Sequence, residues 1–415
     1  MNNAKKSLVP HRRFKEFQNA GAWEQRKLED ISIINPKSVI PEHFKYVDLE
    51  SVVGTDLISF IETDKNSAPS RAQRVARTGD IFYQTVRPYQ KNNYLFTLKD
   101  KDYVFSTGYA QIRSDVDNAF LMSYLQNENF VQTVLRHSTG TSYPAISPSD
   151  LAKISVFIPK KQKEQLKIGK AFSNIDNLIT LHQRKLNKLK KLKSAYLTEM
   201  FPDEGEHKPK RRFAGFTDDW EQRKFMDLID SIIDFRGRTP KKLGMNWSNE
   251  GLLALSAQNV KDGYIDKTID AHYGSQTLYD KWMNGRELHK GQVVFTTEAP
   301  MGNVARIPDE NKYILSQRTI AFTVKNTVLT EGFLMYLLES PSVKNNLLRI
   351  SSGGTAKGVS QKTLSSLTVK IPTSLKEQER INFVFYSLDS LITLHQRKID
   401  KLQKLKNAYL NEMFV

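Results

Sequence analysis

Catalysis needs particular side chains at particular spacings, and this chain supplies few of them. The Asn/Asp-Pro-Pro-aromatic tetrad that would mark adenine methyl transfer is absent; Asn35-Pro36-Lys37 is a poor substitute. No glycine-rich loop ending in Gly-Lys-Ser/Thr is present to cradle phosphates. Pro202, Asp203, Glu206 and Lys208 mimic a nuclease motif, but they crowd into one charged segment. Carboxylates that share a metal need separate strands to hold them. The chain has no cysteine, which excludes disulfides and thiolate zinc sites. His182 and His395 stand at matching places in a repeat described below. Two imidazoles alone make a poor metal site, so no metal is expected there, only a polar layer that fixes helix register.

What remains is hydrogen-bonding and cationic chemistry on loops. The first half gathers Thr85, Arg87, Tyr89, Gln90, Lys91 and Asn92, with Ser138, Thr141, Ser142 and Tyr143 further on. The second half offers Arg236, Arg238, Thr297, Asn303, Arg306 and Lys357. Arg can pair with guanine, and Gln or Asn with adenine, through two hydrogen bonds at once. The same residues also bind phosphate, which positions without reading. Lys and Arg total 62 against 45 Asp and Glu, a net charge of +17. That excess suits a polyanion, nucleic acid first and anionic membrane surface second. No apolar run approaches the roughly twenty residues that span a bilayer. The basic start, MNNAKKSLVPHRRF, has no apolar core behind it. A cytoplasmic protein is the expectation.

The elements that must position these loops come in duplicate. LITLHQRK at Leu178–Lys185 returns at Leu391–Lys398, and the likeness runs ungapped from Pro159–Phe201 to Pro372–Phe414. WEQRK stands at Trp23–Lys27 and Trp220–Lys224, where the tryptophans read as core or boundary anchors. Pro10, Arg12, Arg13, Phe14 and Phe17 are echoed by Pro209, Arg211, Arg212, Phe213 and Phe216. Ile168, Phe172, Ile175, Ile179, His182, Leu186, Leu189, Lys193, Tyr196 and Met200 step by threes and fours, a heptad seam. Ile381, Phe385, Leu388, Ile392, His395, Ile399, Leu402, Lys406, Tyr409 and Met413 repeat it. Helices from Glu164 to Met200 and from Glu377 to Met413 are expected, each about 55 Å long. Each would cover the other's seam, antiparallel, as duplicated halves about a two-fold axis must run. Lys193 and Lys406 are expected to extend outward along their stems.

The predicted organisation is a lead-in over 1–22, a domain over 23–159, a long helix over 160–201 and a linker over 202–219. A second domain follows over 220–372, then a second long helix over 373–415. Strands are expected at Lys45–Val53, Gly79–Val86, Tyr103–Ile112 and Lys153–Ile158, with a helix at Phe120–His137. In the second domain they are expected at Leu252–Asn259, Gly291–Thr297, Tyr313–Leu315 with Ile320–Val324, and Leu367–Ile371, with a helix at Glu331–Leu348. Each domain is thus α+β. GDIFYQTVRP aligns with GQVVFTTEAP, and STGTSYPAIS with SSGGTAKGVS, so the framework repeats while the loop residues differ.

Taken in order, these motifs resemble the DNA specificity subunit of type I restriction–modification systems. The resemblance rests on the WEQRK openings, the Gly-Asp-Ile and Gly-Gln-Val strand starts, and the ISPSDL and VSQKTL turns before Ile-Pro. The Glu-Gln-plus-helix blocks and Arg236–Pro240 (RGRTP) carry it further, although Ile31–Lys37 has no RGRTP counterpart. It implies two target recognition domains separated by an antiparallel coiled coil, each reading half of a bipartite double-stranded DNA site. It implies partners: two methyltransferase subunits and restriction subunits, which carry S-adenosylmethionine, ATP and Mg. No catalytic residue is implied in this chain, and no cofactor is expected on it. The helix length sets an upper bound of roughly 16 base pairs on the half-site separation, at 3.4 Å each. The basic runs Lys185–Lys193 and Lys398–Lys406 would face partner subunits or the DNA backbone. A protein-binding coiled-coil adaptor and a self-contained nuclease or methyltransferase are the rival classes. The first predicts no salt-dependent DNA affinity, the second turnover by the chain alone.

Overall fold

The computed structural model describes residues 8–100, 102–269, 272–351 and 358–415. It forms two compact units, Met1–Lys185 with His395–Val415, and Leu186–Leu394. The division cuts both long helices, Gln162–Glu199 and Leu375–Met413. Each unit therefore owns one globular domain and a part of each helix.

In the first unit one sheet orders Ser32–Ile34, Tyr109–Ser114, Ile81–Gln84 and Tyr94–Leu95, all antiparallel. In the second unit Ile229–Asp234, Thr319–Val324, Val293–Thr296 and Val304–Arg306 take the same order. A further sheet in each domain contains one parallel pair: Tyr103–Ser106 beside His43–Val47, and Ile314–Leu315 beside Leu252–Leu255. Where the first domain adds the strand Ala72–Val75 to that sheet, the second has the helix Gln276–Met283. The WEQRK segments are strands. Glu24–Lys27 pairs with Ser155–Ile158 and Glu221–Lys224 with Thr368–Ile371, each closing its domain just before a long helix.

Several expected elements prove to be two. The run Tyr103–Ile112 is split at Thr107-Gly108 into strands of different sheets. Lys45–Val53 turns at Asp48, whose Oδ1 accepts from the amides of Glu50 and Ser51. The helix expected at Phe120–His137 breaks where Asn127 caps a new one, giving Asn118–Leu125 and Glu128–Arg136. Glu331–Leu348 likewise becomes Glu331–Glu339 and Pro341–Ile350, because Pro341 can begin a helix but not continue one.

The cores repeat closely. Trp23 and Trp220 are 2% and 1% exposed. Trp23 meets Phe120 edge-on at 5.7 Å and 67°, and Trp220 meets Phe333 with the same values. Phe414 packs on Trp23, as Phe201 packs on Trp220. Pro202, the first residue of the expected linker, is buried beside Phe201, so Phe201–Pro202 is not a free joint.

The Glu-Gln pair that opens each long helix explains itself in contacts. Arg13 grips Glu164 through two hydrogen bonds of 2.6 and 2.8 Å; Arg212 grips Glu377 at 2.7 and 2.9 Å. Both carboxylates are buried, with 1% of the side chain exposed. Gln165 accepts from the Asp117 amide and donates to the Pro159 carbonyl; Gln378 does the same with Thr330 and Pro372. At the other helix ends Arg12 lies over Tyr409 and Arg211 over Tyr196, both at 5.2 Å. A small residue lets helix and domain touch in each unit, but it changes sides. Gly169 on the first long helix leaves room for Phe120, whose amide nitrogen would lie 2.5 Å from a Cβ there. In the second unit Gly332 on the domain makes way for Asn382 on the helix.

Candidate nucleic-acid interface

Each candidate loop begins where a fully buried strand, Ile81–Gln84 or Val293–Thr296, leaves its sheet. In the first domain the chain then runs beside the second loop. The Ile146 amide donates to the Thr85 carbonyl at 3.0 Å and the Arg87 amide to the Pro144 carbonyl at 2.7 Å; Val86 bridges Ala145. In the second domain Val359 donates to the Thr297 carbonyl at 2.8 Å, and Glu298 bridges Gly358. Both turns pass through a left-handed residue before proline, Arg87 with φ 54° and Ala299 with φ 48°. The two halves therefore present similar loop frames, of different length and with different side chains.

Several expected base readers are buried or engaged within the fold. Thr85 is buried, and its hydroxyl donates to the Gly108 carbonyl at 2.8 Å. Thr297 is also buried, its hydroxyl without a partner among the described residues. Asn303 donates to the Val260 carbonyl at 2.9 Å. Arg306 donates to the Gly332 carbonyl and to Asn382 at 2.7 and 2.6 Å and lies over Tyr336, so it ties domain to helix. Arg236 forks onto Asp234 beside it, and Arg238 donates to the Trp282 carbonyl while covering the Phe235 ring. Charge on a loop was the visible signal; its internal partner lay far off in sequence in most cases.

Others reach solvent. Tyr89, Gln90, Thr141, Ser142 and Tyr143 are exposed. Gln90 accepts from Gln84 at 2.8 Å, Lys91 pairs with Glu128 at 2.7 Å, and the Asn92 carbonyl accepts from the Gly54 amide at 2.8 Å. Ser138 is half-buried and donates to the Val134 carbonyl. Arg87 stacks 4.4 Å over the Tyr143 ring. Lys357 lies outside the described residues. Among the described residues no group of three or more His, Cys, Asp or Glu could hold a metal. No helix there is long and apolar enough to cross a membrane.

Every expected seam residue, from Ile168, Phe172, Ile175 and Ile179 through Leu186, Leu189 and Tyr196, is buried or half-buried. So are Ile381, Phe385, Leu388, Ile392, Ile399, Leu402 and Tyr409. In the first unit Asp176 pairs with Lys406 at 2.6 Å, and His182 meets His395 with 2.9 Å between Nδ1 atoms. Advancing on one helix means retreating on the other, so the pair is antiparallel. Burial, then the nearby charges of His395, Lys398 and Lys185, hold the His182 imidazole below its usual pKa.

The two seam lysines do not extend outward. Lys193 is held at 2.8 Å from both Glu339 and Asp389, and only 15% of its side chain is exposed. Lys406 is equally enclosed beside Asp176. A seam flanked by carboxylates offers an ammonium a better partner than a long reach to water. Burial would lower the Lys193 pKa, but Glu339 and Asp389 outweigh it and raise it. Glu339 and Asp176 are pushed up by burial, against the pull of their lysines.

A sequence profile described as the type I restriction modification DNA specificity domain matches residues 21–191 and again 217–404. The chain belongs to this family. Type I specificity relatives share modest identity with it. The specificity subunit of type I restriction enzyme MjaVIII from Methanocaldococcus jannaschii is 24% identical over 309 residues, 71% of this chain and 69% of its own. The HindI specificity subunit of Haemophilus influenzae is 24% identical over 245 residues, 53% of this chain and 49% of its own. A crystal structure of the type I S subunit from M. genitalium covers 98% of this chain and 99% of its own, with a TM-score of 0.67 at 12% identity. The fold is that of a type I specificity subunit.

Proposed function

We propose that this type I specificity subunit directs its partner subunits to an asymmetric, two-part DNA sequence and performs no catalysis itself. One observation carries the reading: a similar loop frame occurs twice with different side chains, Arg87 in one turn and Ala299 in the other. Similar frames give each domain a similar approach to a duplex, and unlike side chains make the two half-sites differ. The chemistry then belongs to partners, methyltransferase subunits with S-adenosylmethionine and restriction subunits with ATP and Mg. Two equal methyltransferase partners fit the helices. The first unit exposes Leu178, Leu181 and Leu405, and the second exposes their counterparts Leu391, Leu394 and Leu192. Such repeated apolar exposure marks an interaction surface.

The long helices set the unread gap between half-sites. Inserting one heptad in each, after Lys185 and after Leu394, keeps the seam in phase and adds about 10.5 Å, or roughly three base pairs. Sequencing methylated DNA from cells carrying this variant with its cognate methyltransferase should show a longer gap and unchanged half-sites. A change in the bases read would refute the spacer role. Absence of any methylated motif with the unaltered chain would refute the function.

A further inference from the structure

We infer that Arg87 reads a guanine in the half-site bound by the first domain, and that the second domain lacks this contact because Ala299 stands in its place. The inference rests on the DNA-reading function proposed above. Most polar side chains of the Arg87 turn are already engaged. Thr85 bonds Gly108, Gln90 bonds Gln84, Lys91 pairs with Glu128 and Asn92 receives Gly54. Among the described residues no carboxylate pairs with Arg87, and its Nε is buried without a partner. Its guanidinium carbon instead lies 4.4 Å from the centre of the Tyr143 ring, which is 64% exposed.

The chemistry of that stack selects the ligand. A phosphate can also take the guanidinium fork, but every nucleotide carries one, so such a contact positions without reading. A guanidinium seated on an aromatic platform can present two parallel N–H groups to a flat acceptor pair. Guanine O6 and N7 are that pair in the major groove. The frame holds the stack in place: the Arg87 amide donates to the Pro144 carbonyl, next to Tyr143. The left-handed backbone is common to both turns, so it shapes the frame rather than the choice of base. The side chain at the apex differs, Arg87 against Ala299, and the loops differ in length as well, 85–93 against 297–303. The two half-sites should therefore differ at the base that this apex meets.

The test uses the full chain assembled with its cognate methyltransferase subunits. The methylated motif is first mapped by sequencing; methylation rates are then compared on duplexes substituted at each position in turn. One G·C pair in one half-site should cost about 5- to 150-fold when changed, the range of a lost bidentate contact. In Arg87→Ala that single ratio should fall toward one while all others hold. Arg87→Lys should keep only part of it, since an ammonium still reaches O6 or N7 but lacks the planar fork. Tyr143→Leu should lower the same ratio in part, and it guards against an Arg87→Ala chain that fails to fold. A common loss on every duplex with all ratios kept would identify a phosphate contact and overturn the assignment. Unchanged ratios, or half-sites without a G·C pair, would also overturn it. If the unaltered chain yields no methylated motif, the DNA-reading function itself fails.

Discussion

Replacing Lys193 with Met should destabilise the second unit far more than replacing Lys406 with Met destabilises the first. Lys193 neutralises both Glu339 and Asp389, whereas among the described residues Lys406 pairs with Asp176 alone. Breaking a buried ion pair from one side typically costs about 3–5 kcal/mol, because the remaining charge is stranded. The structure allows a check on that figure. Glu339 has 3% of its side chain exposed, and its pKa is already raised by burial with the lysine present. Without the lysine it must keep a proton that the unfolded chain releases near pH 4.3. Each pH unit of that mismatch costs about 1.4 kcal/mol, so by pH 7 the ceiling is about 3.7 kcal/mol. The sign follows: the folded state binds more protons, so the penalty grows as pH rises above about 4.3.

In a unit of this size each kcal/mol is worth about 2–4 °C, giving a fall of roughly 7–15 °C at pH 7 and little at pH 4.5. Gln126 occupies the position equivalent to Glu339 in the first domain. Adding Glu339→Gln to Lys193→Met should therefore recover most of the loss. Calorimetry of the full chain, which resolves units that melt separately, would measure this. A Lys193→Met penalty no larger than that of Lys406→Met, or one independent of pH, would refute the reasoning.

The histidine layer should make the first unit pH-sensitive. The His182 pKa is depressed, so the stability contributed by the neutral ring is complete above about pH 6.5 and is lost as pH falls through the folded value. Melting between pH 8 and 5 should show that slope, and His182→Leu with His395→Leu should remove it. The buried threonines should affect stability and leave recognition alone. Thr297→Val removes a hydroxyl with no partner among the described residues and should raise stability by about 1 kcal/mol; Thr85→Val breaks a bond to Gly108 and should lower it by a similar amount. Denaturation midpoints report both, and a changed methylation motif in either variant would reinstate that residue as a reader.

The duplicated design was legible in the sequence because it is written in local, periodic signals. A heptad seam shows itself through residues three and four apart, and a repeat through matching letters, so both helices, both domains and the Trp23 and Trp220 anchors could be read directly. The echo of Arg12 and Arg13 in Arg211 and Arg212 was visible too, but not its purpose. For Arg13 and Arg212 that purpose depends on Glu164 and Glu377, more than a hundred residues away, and only folding brings such partners together. The same distance hid the fate of the loop cations. Arg306 and Arg87 look alike as letters. Tertiary structure turned one inward against Gly332 and Asn382 and left the other stacked on an exposed tyrosine. Sequence fixes which groups a chain carries and with what rhythm; packing alone decides which of them remain free to meet a ligand.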